Sequence, residues 1–538
     1  MSGMNSPPSN MLAALAVTAT LLAACGGSTD PESIDPLRAE VLKRGNGGEP
    51  ESLDPALAED VHAFNVLLDL YEGLVALDAD GSAIPGASVG WTVSEDGRLW
   101  RFDLRRDATW SNGEPLLAQH FVDGIHHVVG PESRSPTAFL LDVLENFEGV
   151  MKGDLPPNAL GVDAPDKFTV QFRLARPAPY FAGILAMPVA YPRLLDIHAD
   201  PAAFKSAGQF VGNGAYVLDE WQVGSHVRLK RNELFHSAGD VPIKTVEYLA
   251  IEDPVREYNL YRTGELDITN SIGPTAFADI KATRPDEVSV SPGLAVYYLA
   301  PDLSEPPMNV RELRKALSMA VDRNQLVKLL GRGEVAAFNL VPPGVSDYET
   351  AEYDWKDMPD EARENASRVA YSAAGYSKES PLKITLTYDA GDIHEKVALA
   401  VSSMWHEILG VEVTLEKLEW KLFLDTREQR STWEIMRFSW FGDFDDPINF
   451  VGLFTSTSLQ NLPGYRNAHF DSLLQLADVQ EDPAKRKSQM HEAETIFLED
   501  YPIIPLYFPV NKHLVSPRVL GFVPNSMDRH ASRTLKLR

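Results

Sequence analysis

The feature that most constrains the fold is a strand–helix–strand pattern between residues 384 and 415. Apolar runs at Ile384–Tyr388 and Val411–Leu415 predict two strands, and the amphipathic segment Lys396–Leu409 between them predicts a helix. Strands that are joined through a helix lie parallel to each other, because the helix crosses over the sheet before the chain returns. The unit predicts a sheet covered by helices and so places the chain in the α/β class.

Other predicted strands and helices alternate along the chain. The segment RLWRFDL at 98–104 alternates polar and apolar residues and predicts a half-buried strand, followed by a tight turn at Asn112-Gly113. Two more strands are predicted around 169–172 and 227–230, and helices around 63–71, 116–127 and, as one long amphipathic helix, 311–330. A chain of 538 residues built from such blocks is expected to form two or three α/β lobes.

Composition and charge exclude several classes of partner. The net charge is -28, which disfavours nucleic acid, because its phosphates would be repelled, and also disfavours anionic lipid surfaces. Cys25 is the only cysteine, so the sequence after it has no disulfide, cysteine metal site or thiol catalysis.

The N-terminus has the pattern of a targeting segment. Met11–Ala24 is almost entirely apolar but too short to span a bilayer, and small residues directly precede Cys25, which resembles a bacterial lipobox. Residues 1–24 are therefore predicted to be a signal peptide, Cys25 a lipidated residue, and the polar segment 25–36 a tether. An uncleaved apolar leader with an incidental cysteine is the alternative.

Enzyme motifs have little support. Residues 86–90 (GASVG) match the nucleophile elbow of serine hydrolases, but Pro85 precedes them where a strand is required, and a strand rather than a helix is predicted to follow Trp91. None of the His-Glu pairs has the second histidine of the zinc helix, and there is no P-loop or dinucleotide fingerprint. We expect a non-enzymatic protein without cofactor or metal; a cell-envelope hydrolase that uses Ser88 is the alternative from another class.

A carboxylate follows an aromatic segment at residues 440–443. Asp443 comes directly after Trp440, Phe441 and Gly442, where aromatic packing is expected to exclude water. A carboxylate in such a place is costly unless a cation meets it, and the ammonium group of a ligand is one candidate. The alternative is that Asp443 caps a helix that begins near Pro447.

Separated blocks of the sequence resemble the substrate-binding proteins of oligopeptide ABC importers, which belong to extracellular solute-binding protein family 5. The blocks are GGEPESLDP (47–55), WRFDLRRDATWSNGEPLLAQHF (100–121), NGAYVL (213–218), YRTGELDI (261–268), RKALSMAVDR (314–323), EWK (419–421), the Trp-x-x-Asp of 440–443 and PLYFPVN (505–511). They occur in the family's order and cover nearly everything after residue 36. The resemblance implies a type II periplasmic-binding-protein fold with an extra lobe and a ligand cleft between two hinged lobes.

The resemblance also implies where the lobes begin and end. Lobe I would be discontinuous and consist of residues 37–71, 198–294 and 509–538. Lobe II would span 72–197 and lobe III 295–508. Ala295 and Phe441 occupy the positions that match a disulfide of many relatives.

Candidate ligand contacts follow from the same resemblance. Asp443 takes the place of the aspartate that binds the ammonium group of a peptide, and Arg437 and His394 match basic residues that bind its carboxylate end. The remaining matched positions are Glu59, Val61, Tyr298, Trp420, Tyr507 and, across an alignment gap, Arg332. A surface ion pair for Arg437, a solvated His394 and core packing for Tyr507 are the alternatives. Ala300 replaces a glutamate of relatives, so a preference for basic side chains is not implied.

The function implied is that of a lipoprotein receptor, periplasmic or on the cell surface. It would capture short peptides and deliver them to an ABC-type permease without chemistry on the ligand, as a monomer that contacts the membrane only through its lipid anchor. The same fold could instead bind murein peptides, haem or a nickel chelate. Asp443 favours a ligand with a free amino group, which argues against haem and metal chelates.

Overall fold

The computed structural model of the protein describes residues 40–273, 276–429, 432–458 and 460–538. Cys25 and the predicted signal peptide and tether lie outside these ranges. None of the helices in the described ranges is both long enough and apolar enough to span a membrane.

The first sheet joins the beginning of the chain to its middle. Val41–Gly45 pairs in parallel with Thr245–Leu249, which pairs antiparallel with His226–Arg231, and His226–Arg231 pairs antiparallel with Tyr216–Gln222. The helix Val61–Leu70 contacts this sheet. It begins after Asp60, whose side chain accepts a hydrogen bond from the amide of Ala63 and satisfies a free donor of the first turn.

A buried polar cluster ties the last residues of the chain to this sheet. Nη1 of Arg44 donates to the Tyr248 hydroxyl at 3.2 Å, to the His530 carbonyl at 2.6 Å and to Oγ of Ser532 at 2.9 Å. Asp69 accepts from the Tyr248 hydroxyl at 2.7 Å and from the Ser532 amide at 2.8 Å. The cluster therefore joins residues from the start, the middle and the end of the chain.

The second sheet is antiparallel throughout. Its order is Ser88–Val93, Leu99–Leu104, Thr169–Arg173 and Val162–Asp166, and the helix Ala118–Val129 packs against it. These elements confirm the strands predicted at 98–104 and 169–172 and the helix predicted at 116–127.

The third sheet has six strands and contains the predicted strand–helix–strand unit. Lys383–Asp389 and Glu412–Leu418 pair in parallel, joined by the helix Asp392–Leu409, as the sequence predicts. The order of the sheet is Val335–Ala336, Ile504–Phe508, Ala295–Pro301, Ile435–Phe441, Lys383–Asp389 and Glu412–Leu418. Ala295 lies directly opposite Phe441 in this sheet, so the two positions matched to a disulfide are cross-strand neighbours.

The prediction of one helix at 311–330 is wrong, because the segment forms two helices, Arg311–Ala320 and Arg323–Leu330. The first helix ends at Ala320, and Asp322 caps the second, since its side chain accepts from the amide of Gln325 at 2.8 Å. The buried guanidinium of Arg323 then donates to backbone carbonyls on both sides of the break.

Smaller elements complete the fold. The remaining helices are Phe147–Met151, Phe181–Ile184, Leu195–His198, Pro254–Arg262, Phe277–Thr283, Asp360–Ala373, Trp420–Glu428, Ile448–Val451, Ala468–Asp478 and Pro483–Asp500. Three antiparallel strand pairs accompany them: Val75–Leu77 with Ala83–Pro85, Val288–Pro292 with Val510–Leu514, and Val519–Leu520 with Lys536–Leu537. The described chain thus consists of α/β units that face one another across a cleft.

Candidate functional site

The cleft lies between residues of segment 139–184 and residues of segment 440–460. It has a volume of about 300 Å³ and is lined by Asp142, Arg176 and Tyr180 on one side and Trp440, Asp443 and Phe444 on the other. The rings of Tyr180 and Phe444 stack across it with their centroids 4.4 Å apart. This ring pair also borders a second cavity, so it divides the space between the two sides.

The second cavity, which we call the apolar chamber, has a volume of about 260 Å³. Its apolar walls include Phe64, Leu68, Leu77, Met187, Phe444 and Met527, and its charged members are Asp445 and Arg529. Asp445 is engaged, because it accepts a hydrogen bond from the amide of Ser346 at 2.9 Å.

Asp443 is the unpaired charge of the cleft. Asp142 and Arg176 form an ion pair at 3.0 Å, whereas the described residues offer the Asp443 carboxylate no hydrogen bond or ion pair. Burial raises the pKa of Asp443 to about 6, opposed by the positive charge of Arg529. The charged form of Asp443 would therefore gain from a cation that enters the cleft.

Asp443 does not cap the helix near Pro447. The helix is Ile448–Val451, and Asp446 accepts from the amide of Ile448 at 2.9 Å. Asp446 is also held by a bidentate ion pair with Arg486, at 2.7 and 2.9 Å. The side chain that binds the first amide of this helix is therefore that of Asp446, three residues after Asp443.

A second polar cluster surrounds Arg437 in the third sheet. The Arg437 guanidinium is buried, is paired with Asp389 and lies 5.2 Å from the ring centroid of Phe423. Nε2 of His394 is 3.7 Å from the Asp389 carboxylate, and Nδ1 is 3.1 Å from the Tyr297 hydroxyl. Arg437 is therefore neither a surface ion-pair partner nor a free cation.

The electrostatics of this cluster keep His394 neutral. Burial, followed by the positive charge of Arg437, lowers the pKa of His394 to about 4. Arg332 also lowers this pKa and pairs with Glu334 at 3.3 Å. Tyr507 stacks on Tyr297 with centroids 4.6 Å apart. The structure thus brings Arg437, His394, Arg332 and Tyr507 together, and adds Tyr297 and Asp389, which sequence reasoning missed.

Other predicted contacts lie apart from this cluster. Tyr298 points to the opposite face of its strand and packs in the core against Phe438 and Phe454, with centroids 5.9 and 6.0 Å away. Trp420 is 55% exposed and stacks on Phe423, which also lies next to the Arg437 guanidinium. Their roles, like those of the whole predicted set, remain predictions.

Glu59 and Val61 lie at the start of the helix Val61–Leu70 and are exposed. The same helix carries Phe64 and Leu68 into the wall of the apolar chamber. Both residues therefore lie on the chamber side of the molecule, with no described contact to the Arg437 cluster.

Ser88 has a structural environment. It is fully buried at the start of the strand Ser88–Val93, and its hydroxyl donates to the carbonyl of Leu74 at 2.7 Å. A nucleophile elbow would need the hydroxyl exposed between a strand and a helix. This geometry argues against the hydrolase alternative.

One group of described residues has the composition of a metal site: His513, Asp528 and His530. Asp528 accepts from Nε2 of His513 at 2.7 Å and from Nε2 of His530 at 3.1 Å, while Nδ1 of His513 donates to the Thr269 carbonyl at 2.8 Å. Burial alone would lower the pKa of His513, but the Asp528 carboxylate raises it. These hydrogen bonds therefore engage the Asp528 carboxylate and the Nε2 atoms of His513 and His530, which are the atoms that would otherwise bind a metal ion.

Two α/β units that close on a ligand about a hinge are typical of periplasmic solute-binding proteins. Over residues 55–461 the chain matches the model of "Bacterial extracellular solute-binding proteins, family 5 Middle". It is 35% identical over 497 residues to the periplasmic oligopeptide-binding protein OppA of Escherichia coli (strain K12), with 91% of each chain covered. The chain therefore belongs to the bacterial extracellular solute-binding proteins of family 5.

Solved structures agree with this assignment. The periplasmic murein tripeptide-binding protein MppA, in its unliganded open form, superposes with a TM-score of 0.84 at 33% identity, covering 93% of this chain and 97% of that chain. OppA of Haemophilus influenzae, in complex with RPPGFSPFR, superposes with a TM-score of 0.76 at 31% identity, covering 93% and 99%. The predicted type II fold with a cleft between lobes is confirmed, while the lobe boundaries stay a prediction.

Proposed function

We propose that the protein is a receptor outside the cytoplasm that binds short peptides through their free ammonium group and delivers them to an ABC-type permease. It performs no chemistry on the ligand. The observation that carries the proposal is the Asp443 carboxylate, which lines the cleft without a partner among the described residues and has a raised pKa. A ligand ammonium group would supply the missing cation through a charge-assisted hydrogen bond.

The carboxylate end of the peptide is assigned to the cluster around Arg437. Asp389 and Glu334 already offset the charges of Arg437 and Arg332, and His394 is neutral, so the cluster offers little net charge. Its attraction for a carboxylate would come mainly from N–H and O–H donors of Arg437, His394 and Tyr297. A binding site of this kind is expected to accept peptides of different lengths rather than to select one length, because no single free charge fixes the position of the peptide carboxylate.

Binding would close the lobes, and the ligand would stabilise the closed form only by binding it better than the open one. The stacked rings of Tyr180 and Phe444 already bridge the cleft and would help to exclude water from the Asp443 carboxylate. Exclusion of water strengthens the ammonium–carboxylate attraction.

Calorimetry with matched peptides tests the proposal. Ala-Ala-Ala is expected to bind, and N-acetyl-Ala-Ala-Ala to bind far more weakly, because acetylation removes the ammonium charge. Asp443→Ala should weaken free-amine peptides by roughly 30-fold to several-thousand-fold, the effect of removing one member of a buried charge pair.

Asp445→Ala is the matched control for a nearby carboxylate, since Asp445 is engaged by Ser346. It should leave the affinity for Ala-Ala-Ala within about threefold, or roughly 0.7 kcal/mol. Equal binding of the free and acetylated peptides would remove the role of Asp443. Failure of every peptide to bind would favour the haem or nickel-chelate alternative.

A lipid anchor at Cys25 and a monomeric state complete the proposal. Anchoring rests on the apolar segment and small residues that precede Cys25. Cys25→Ser should release the protein from membranes or block its processing, as seen by fractionation and by the mass of the mature chain. Unchanged mass and unchanged fractionation would contradict the anchor.

A further inference from the structure

Arg529 lies at the wall of the apolar chamber with one guanidinium nitrogen that has no hydrogen-bond acceptor. Its Nη1 atom is buried and has no hydrogen-bond partner, and its guanidinium carbon lies 5.0 Å from the ring centroid of Phe64. Burial lowers the pKa of Arg529, which marks the cost of keeping this charge away from water. A buried charge of this kind normally has a partner of opposite sign.

The carboxylates near Arg529 are engaged elsewhere in the described part of the chain. Asp528 accepts from His513 and His530, Asp445 accepts from Ser346, and Glu72 pairs with Arg533 at 2.6 Å. Asp528 and Asp443 act on Arg529 through their charges, but neither forms a hydrogen bond with its guanidinium in the described structure. Nη1 of Arg529 therefore lacks an acceptor in the described part of the chain, and a ligand carboxylate that enters the chamber would supply one.

We propose that the apolar chamber is a subsite for a ligand side chain that ends in a carboxylate, and that Arg529 binds this carboxylate. The proposal rests on the proposed function, in which Asp443 holds the ligand's ammonium group. Phe444, the residue after Asp443, lines both the cleft and the chamber. The first residue of a bound peptide would thus lie at the entrance of the chamber.

The chemistry of the chamber fits an aliphatic stem with an acidic end. Phe64, Leu68, Leu77 and Met187 offer apolar contacts to methylene groups, while Arg529 supplies donors for the terminal carboxylate. A ligand ammonium bound to Asp443 would also cancel the negative charge that now acts on Arg529. A neutral first side chain would leave Nη1 of Arg529 without an acceptor, whereas the carboxylate of glutamate would supply one.

A peptide series that differs only at the first residue tests the proposal by calorimetry. Glu-Ala-Ala is expected to bind the wild-type protein about ten- to a hundredfold more tightly than Gln-Ala-Ala, the usual effect of one hydrogen-bonded charge. Lys-Ala-Ala should bind more weakly than Ala-Ala-Ala, because its second ammonium would face Arg529. These comparisons use the unaltered protein and do not depend on whether a variant folds.

Arg529→Met and Arg529→Lys then assign the effect to this residue. Arg529→Met should abolish the preference for Glu-Ala-Ala over Gln-Ala-Ala, and Arg529→Lys should restore part of it; the ratio of the two affinities is the readout, because Arg529 also acts on Asp443 through its charge. Equal wild-type binding of the Glu and Gln peptides, or a preference that survives in Arg529→Met, overturns the subsite alone. If no free-amine peptide binds, the proposed function fails and the subsite with it.

Discussion

Replacement of Asp443 by asparagine is expected to stabilise the unliganded protein while it removes affinity for free-amine peptides. Asparagine keeps the shape of the side chain and removes only the charge. In the unliganded cleft this charge is costly, because burial raises the pKa of Asp443 from 3.8 to about 6. The wild-type protein therefore carries an energetic cost that only the ligand's ammonium group would offset.

The size of the effect follows from linkage between protonation and folding. A raised carboxyl pKa means that ionisation costs stability, and this cost is absent below the unfolded pKa and complete above the folded one. The full pKa difference between 3.8 and about 6 corresponds to a free-energy cost of about 3 kcal/mol. Because the side chain is partly exposed, the expected gain in stability of Asp443→Asn is reduced to about 1–2 kcal/mol near neutral pH. At pH 4.5, where most of the carboxyl is protonated in the folded protein, the gain should shrink to about a third.

The assay compares chemical denaturation of both proteins after refolding without peptide, at pH 7.5 and at pH 4.5. Adding Ala-Ala-Ala should raise the denaturation midpoint of the wild-type protein and leave that of Asp443→Asn nearly unchanged. A variant that is less stable than the wild type at pH 7.5 would refute the reasoning, because it would mean that the carboxylate has a structural partner.

Three further predictions concern neighbouring groups. The affinity of the wild-type protein for Ala-Ala-Ala should fall about tenfold between pH 7.5 and pH 5, because Asp443 must lose its proton before it binds an ammonium group; calorimetry at both pH values checks this, and a flat profile would contradict it. Arg437→Met should destabilise the protein by up to about 3–5 kcal/mol, since it removes the guanidinium paired with the buried Asp389 and leaves His394, 3.7 Å away, to offset that charge, and the double change with Asp389→Asn should cost less than the single one in thermal denaturation. Ser88→Ala should cost about 1 kcal/mol through the lost bond to Leu74, and a fluorophosphonate probe should leave the wild-type protein unlabelled.

Local patterns predict much of the fold because they report burial on one face of a segment. The prediction of the strand–helix–strand unit from Lys383 to Leu418 is confirmed, because apolar residues recur with the strand or the helix period along the whole of each element. The sequence predicts a single helix through Asp322 because apolar residues keep the helical spacing on both sides of it. The signal was present: an aspartate followed three residues later by Gln325 is the spacing of an N-terminal cap.

The site is harder to predict because it depends on contacts between distant segments. The adjacent tyrosines 297 and 298 are both buried, and only the pairing of Tyr297 with Tyr507 decides which of them reaches His394. Asp389 neutralises Arg437 across the sheet, which no local pattern reports. Arg529 lies far along the chain from Asp443, so their proximity is visible only in three dimensions.

The polar cluster around Arg44 has a consequence for the order in which the protein can fold. Arg44 and Asp69 are made well before Ser532 and His530, which they bond and which lie more than 460 residues further along the chain. Until then Arg44 and Asp69 keep their hydrogen bonds to Tyr248 but lack those to the His530 carbonyl and to Ser532, and incomplete pairing of a buried charge is costly. The first sheet is therefore expected to stay loosely assembled during synthesis until residues 530–532 have been made.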